Sequence, residues 1–187
     1  MDRRNQISKT ALYNTYMQLL AEKPADEIRI SELCQRAGVS KSTFYNNYKN
    51  MPGFIRDVEK RFVKKIINTV PRQQYTFKNP TLFTTELTVT FRNFRREIYT
   101  LFGLEGTVRM LYLMEVAIKD EIFNLYPQAR NNVKLNMLPT YCIMGAANVT
   151  LLHPRIPTDL VVGTLKEVTD TIGPLLNRAY AEGSADK

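Results

Sequence analysis

The chain has 187 residues, enough for one large domain or two small ones with a core that needs neither disulfide nor metal. With 44% hydrophobic and 24% charged residues, 9 Pro and 8 Gly, it is neither disordered nor collagenous, and its two cysteines, Cys34 and Cys142, make no disulfide framework and fit a reducing cytoplasm. The formal charge of +8 is uneven: residues 1–65 hold 13 Lys and Arg against 7 Asp and Glu, the remainder 13 against 11. That asymmetry fits a polyanionic partner for the first third, either nucleic acid or an anionic membrane surface. No apolar run with a cleavage site follows the N-terminus, and the longest nearly apolar stretch, 141–152, is too short to span a bilayer. The expectation is a cytoplasmic protein without membrane association.

Helical periodicity runs through the whole chain and no alternating strand pattern occurs, so the fold class is all-α. Leu12, Tyr16, Leu19 and Leu20 predict a helix over 4–22 that Pro24 ends. A short helix over 31–37 follows, with Leu33, Cys34 and Ala37 inward, and Gly38 stops it. Ser40 is placed to cap the next helix, over 41–48. Asn50 opens a long fourth helix with Pro52 in its first turn and Ile55, Val58, Phe62, Ile66 and Val70 as its apolar stripe. Residues 71–79 read as a break, after which Pro80 starts a helix carrying Leu87, Phe91, Phe94, Ile98 and Leu101.

Gly103 and Gly106 mark a joint. The helix over 104–125 is apolar nearly all round, which predicts a central position in a bundle. Two heptad seams close the chain: Leu135, Leu138, Cys142, Gly145, Val149 and Leu152, then Val161, Leu165, Val168, Ile172, Leu175 and Ala179. The short 153–157 connection makes them antiparallel neighbours. The expected dimer interface is Leu138, Cys142, Gly145, Val149, Val161, Leu165, Val168 and Ile172, against the alternative that the seams pack inside one chain.

Residues 30–48 form a helix-turn-helix candidate. At 100° per residue, Phe44 and Tyr48 share one face of the second helix, while Ser42, Thr43 and Asn46 point away and Tyr45 and Asn47 flank them. The outward face is short, polar and free of carboxylates, which suits a major groove: Asn pairs with adenine, and Ser or Thr touches base edges. Tyr45, Lys41 and Lys49 are placed to reach phosphates.

The segment IRISELCQRAGVSKSTFYNNY, from Ile28 to Tyr48, resembles the DNA-binding domain of the TetR family of bacterial regulators, and the likeness extends over about residues 6–60. It implies an N-terminal three-helix DNA-binding domain (1–52), a long connecting helix, and a C-terminal helical bundle (53–187) that dimerises and binds an effector. It places the recognition helix at Lys41 to Asn47 and a phosphate-touching tyrosine at Tyr45; together with the outward face, the expected DNA-binding set is Arg29, Ser31, Ser40, Lys41, Ser42, Thr43, Tyr45, Asn46, Asn47 and Lys49. Arg29 stands where the family often has Thr or Ser, and Met51 where it often has Lys, with Lys49 the substitute phosphate contact.

Candidate effector-pocket residues are Phe94, Tyr99, Met110, Met114, Glu115 and Tyr141. For Glu115, which sits on an apolar stripe, an ion pair with Arg95, Arg96 or Arg109 is favoured over a ligand contact. One His and two distant Cys give no metal cluster, and no catalytic glycine loop or nucleophile motif occurs. The expectation from these residues is therefore non-enzymatic and cofactor-free, and what the resemblance implies is a homodimeric repressor on a near-palindromic site of double-stranded DNA, released by a small-molecule or protein effector. The rivals are a co-activator with a protein partner, a nucleoid or cell-division factor bound at many sites, and a membrane-surface protein using the basic first third.

Overall fold

The computed structural model describes residues 3–70, 79–103 and 106–185. Among them are nine α-helices and no strand: α1 (Arg3–Glu22), α2 (Ile30–Ala37), α3 (Lys41–Asn47), α4 (Met51–Thr69), α5 (Pro80–Asn93), α6 (Arg95–Phe102), α7 (Thr107–Leu125), α8 (Val133–Leu152) and α9 (Thr158–Ala185). The all-α expectation holds. The break expected at 71–79 lies, but for Asn79, outside the described residues.

Local chemistry sets most boundaries. Gly38 sits at φ 64°, a left-handed conformation that strains any residue with a Cβ, and the Val39 N–H donates to the Cys34 carbonyl at 3.0 Å. The Ser40, Asn50 and Asn79 side chains each accept a backbone N–H three residues on, so α3, α4 and α5 begin where their caps dictate. Pro52 and Pro80 occupy first turns, where a missing N–H costs nothing.

Helices α1 to α3 and the start of α4 form a head around four rings. Phe54 lies 5.2 Å from Tyr16, 5.7 Å from Phe44 and 5.1 Å from Tyr48, centroid to centroid. Tyr16, Phe44 and Phe54 are fully buried, so this cluster fixes how α3 is presented. Further along α4, Phe62 packs on Phe94 and Phe102 of the body, at 6.0 and 6.3 Å. Helix α4 thus lies in one continuous core that runs from the head into the body, and Phe54, just past residue 52, packs among the rings of the head.

The body departs from the sequence expectation in two places, the split of one helix and the exposure of another, and keeps the expected glycine joint between them. The stripe from Leu87 to Leu101 is split at Phe94, whose φ of −93° and ψ of 7° end α5 and start α6 without any Pro or Gly. The joint after α6 needs glycine: a Cβ on Gly106 would lie 2.1 Å from the Phe102 carbonyl oxygen. Then α7 is not central. Met110, Met114 and Ile118 are buried, but Val108 is 77% and Tyr112 59% exposed, and Val116 is also exposed. Leu104 lies outside the described residues.

Helices α8 and α9 are antiparallel neighbours across the 153–157 turn, and both pack on α5. Arg92 donates to the carbonyls of Pro154 and His153, and the Tyr99 hydroxyl donates to the Leu151 carbonyl at 2.7 Å, fastening that corner. By length and composition α8 suffices to cross a membrane, contrary to the reading from 141–152 alone. Its apolar character has another use: Leu135, Ile143, Ala146, Ala147 and Leu151 are buried against the rest of the chain.

Candidate nucleic-acid interface

Helix α3 is held from beneath and open above. Phe44 is fully buried and Tyr48 nearly so, and the Tyr48 hydroxyl donates to Asp57 Oδ2 at 2.6 Å, an acceptor that Arg61 Nε also engages at 2.8 Å. Burial and the Asp57 carboxylate both push the Tyr48 phenol far above its usual value, so it stays a neutral donor. The Lys9 ammonium lies 5.4 Å above the Tyr48 ring. Helix α2 is held against α1 by Lys23–Glu32 and Arg36–Glu22 ion pairs, both 2.5 Å.

The open side carries Ser42, Tyr45 and Asn46, all exposed, with Tyr45 set edge-on against Phe44 at 5.5 Å. Arg29, Ser31, Ser40, Lys41 and Lys49 are exposed around it. No carboxylate lies between Glu32 and Asp57 in sequence, so the face is neutral at its centre and basic at its edges. That is the charge pattern by which base edges are read and phosphates are gripped.

Three residues of the expected set, Ser40, Thr43 and Asn47, are engaged in local bonds of α3 and its cap. The Thr43 hydroxyl lies 2.8 Å from Ser40 Oγ, and Ser40 Oγ also accepts the Thr43 N–H at 3.0 Å. Asn47 Nδ2 donates to the Thr43 carbonyl at 2.9 Å, and Asn47 Oδ1 is buried without a partner. Thr43 and Asn47 are half-buried and brace α3, leaving Ser42 and Asn46 exposed on its outer face beside Lys41 and Tyr45. Arg29 occupies the N-cap of α2 and makes no cap bond, the cost of having Arg where Ser or Thr would cap. Ser40→Ala removes both the α3 cap and the prop on Thr43. It is expected to cost about 1 kcal/mol, or roughly 2–4 °C in Tm by calorimetry.

The six residues singled out as a pocket are not gathered into one. Met110 and Met114 are fully buried core, Phe94 packs on Phe62, and Tyr99 bonds the Leu151 carbonyl. Tyr141 is 64% exposed and borders a groove of about 380 Å³ between α8 and α9. Glu115 accepts from Thr140 at 2.6 Å and pairs with Lys119 at 2.9 Å, not with Arg95, Arg96 or Arg109. Its i,i+4 neighbour is closer than any of those arginines, and Arg109 is engaged with Glu59.

The expected dimer seam is partly spent inside the chain. Val161 and Leu165 pack on Ala146, and Leu138, Cys142, Val149 and Ile172 are half-buried. Gly145 and Val168 remain exposed, and with them Met137, Tyr141, Leu152, Leu160 and Leu175, so the open apolar face lies about a fifth of a turn round α8 from the heptad seam.

The sequence reading missed Glu59. This α4 carboxylate is 2% exposed and bonds Arg109 of α7 at 2.5 Å, joining the connecting helix to the body. Burial holds it above the usual carboxylate range although Arg109 and Arg56 pull it down. The signal was present: Glu59 falls within the apolar stripe Val58, Phe62, Val63 and Ile66. Among the described residues, no group of three His, Cys, Asp or Glu is placed to hold a metal ion.

No protein-family model and no curated protein sequence matches the chain. Among solved structures it is similar to a TetR-family transcriptional regulator from Streptomyces coelicolor, at TM-score 0.58 and 16% identity, over 100% of this chain and 91% of that one. The chain therefore has the all-α fold seen in a TetR-family regulator, with a helix-turn-helix head on a helical body.

Proposed function

We propose that the protein is a cytoplasmic, sequence-specific DNA-binding transcriptional regulator. It acts as a homodimeric repressor on a near-palindromic site, and an effector on the C-terminal body releases it. The observation that carries this reading is the outward face of α3: polar, free of acid, ringed by exposed cations and fixed by a buried aromatic cluster. The fold likeness supports the same reading.

Ser42 and Asn46 read base edges, and Tyr45, Lys41, Lys49 and the N-terminus of α3 set register on phosphates. A single seven-residue helix contacts too few bases to be selective. Two related by a twofold axis read half-sites about 34 Å apart or more. The exposed α8–α9 face supports that dimer. Because α4 packs on the rings of the head at Phe54 and on the body at Phe62, and is tied to α7 by Glu59–Arg109, a shift of the body tilts the head, and by linkage effector and DNA weaken each other.

Tyr45→Ala is expected to weaken binding to every duplex by a similar factor, and Asn46→Ala to weaken the preferred duplex alone, by roughly 1–3 kcal/mol. Titrating labelled preferred and random duplexes with each variant checks both. Equal losses on the two duplexes for Asn46→Ala overturn the assignment.

A further inference from the structure

We propose that the outer face of α7, together with the basic edge of α4, is a docking surface for an amphipathic helix of a partner protein that carries acidic residues along one flank. This surface lies on the body, and its occupancy does not depend on the DNA reading.

Val108, Tyr112 and Val116 follow one another at four-residue steps and form an exposed apolar stripe. Scattered surface apolar residues need no explanation, but a continuous stripe beside a groove marks an interaction site. The groove, of about 300 Å³, has Val63 and Ile67 of α4 and Leu113, Val116 and Ala117 of α7 as its apolar lining, so the stripe meets it at Val116. The two helices run in the same direction here: Glu59 meets Arg109 at one end, and residues 60–68 face 113–121 along the groove. A straight channel of that kind accepts a third helix through apolar side chains at i, i+3 or i+4, and i+7.

Charge selects the occupant. Arg56, Lys60 and Lys64 stand exposed on successive turns of α4, and none forms an ion pair among the described residues. Lysines alone would suit phosphate, but an adjoining apolar stripe does not. Asp120 and Glu121 border only the far end of the groove. The partner helix therefore lays carboxylates along Arg56, Lys60 and Lys64, with a basic residue at the Asp120 end, which fixes its direction. On the opposite edge Lys119 is held by Glu115, and that pair, bonded to Thr140 of α8, separates the stripe from the apolar face of α8.

The test uses the full-length protein and a fluorescein-labelled helical peptide of about 16 residues. The peptide has Leu at i, i+3 and i+7 and Glu along one flank, and its twin has Lys for every Glu. Anisotropy titration is expected to show the Glu peptide binding at least about tenfold more tightly than the Lys peptide. Tyr112→Ser with Val116→Ser is expected to abolish that binding, and Lys60→Glu with Lys64→Glu to invert the preference. All four side chains are exposed, and unchanged circular dichroism confirms the fold; the inversion is itself a gain that an unfolded variant cannot show. Equal affinity for the two peptides overturns the proposal, as does binding that ignores Tyr112 and Val116. A larger oligomer lost in the Tyr112→Ser, Val116→Ser variant, with no peptide bound to the wild type, also overturns it and assigns the face to a second copy.

Discussion

Gly145→Glu is expected to leave the chain folded and to make it monomeric. A Cβ at 145 meets nothing within 4 Å, so the protomer has room for the side chain. Replacing a mid-helix glycine also favours α8 by about 0.5–1 kcal/mol. The same carboxylate, at the centre of a face made by Met137, Tyr141, Val168 and Leu175, would be buried and unpaired in the proposed dimer. That costs several kcal/mol, far more than the helix gains. Light scattering is expected to give 21.6 kDa for the variant and twice that for the wild type. Affinity for a two-half-site duplex should fall at least about 100-fold, because each head then binds alone. A variant that stays dimeric, with full affinity, places the interface elsewhere.

Arg109→Leu is expected to destabilise the fold by about 3 kcal/mol, or roughly 6–12 °C in Tm. The substitution leaves the Glu59 carboxylate buried with no hydrogen-bonded cation. The figure sits at the low end for a broken buried pair because Arg109 is itself 59% exposed and Arg56 still acts on Glu59. Glu59 also faces Tyr16, whose phenol burial and the Glu59 charge push up to about 12.

The pH dependence has a definite sign. Glu59 titrates higher folded than unfolded, so its contribution is fully present below the unfolded value and is lost as pH rises through the folded one. Removing Arg109 raises the folded value further. The stability gap between variant and wild type should therefore widen from pH 4 to pH 7. Combining Arg109→Leu with Glu59→Gln should close most of that gap at pH 7, since a neutral amide needs no counter-ion. A gap independent of pH, unchanged by Glu59→Gln, contradicts this account of the pair.

These two residues also show what a sequence does and does not disclose. The caps at Ser40, Asn50 and Asn79, the stop at Gly38 and the inward turn of Phe44 are written in neighbouring residues, so local rules find them. The break at Phe94 carries no local signal, because the ring is seated by Phe62 of α4 and by the Lys65 ammonium 5.2 Å above it. Exposure of Val108, Tyr112 and Val116 depends on where α4 and α8 stop covering α7, which residue type does not encode. Asn47 belongs to the expected DNA-binding set because angle alone places it on the flank of α3, yet its amide donates to the Thr43 carbonyl of its own helix. The heptads of α8 and α9 were legible as seams, but heptad spacing says only that a face is buried, not whether the burying partner is the same chain.

The most direct measurement is selection of bound sequences from a random duplex pool by the purified protein, at near-physiological salt so that sequence-independent phosphate binding is weak. The expected result is an enriched near-palindrome with half-site centres about one helical turn apart or more. Duplexes retained without any shared motif, or no retention at all, would contradict the assignment of α3 as a recognition helix.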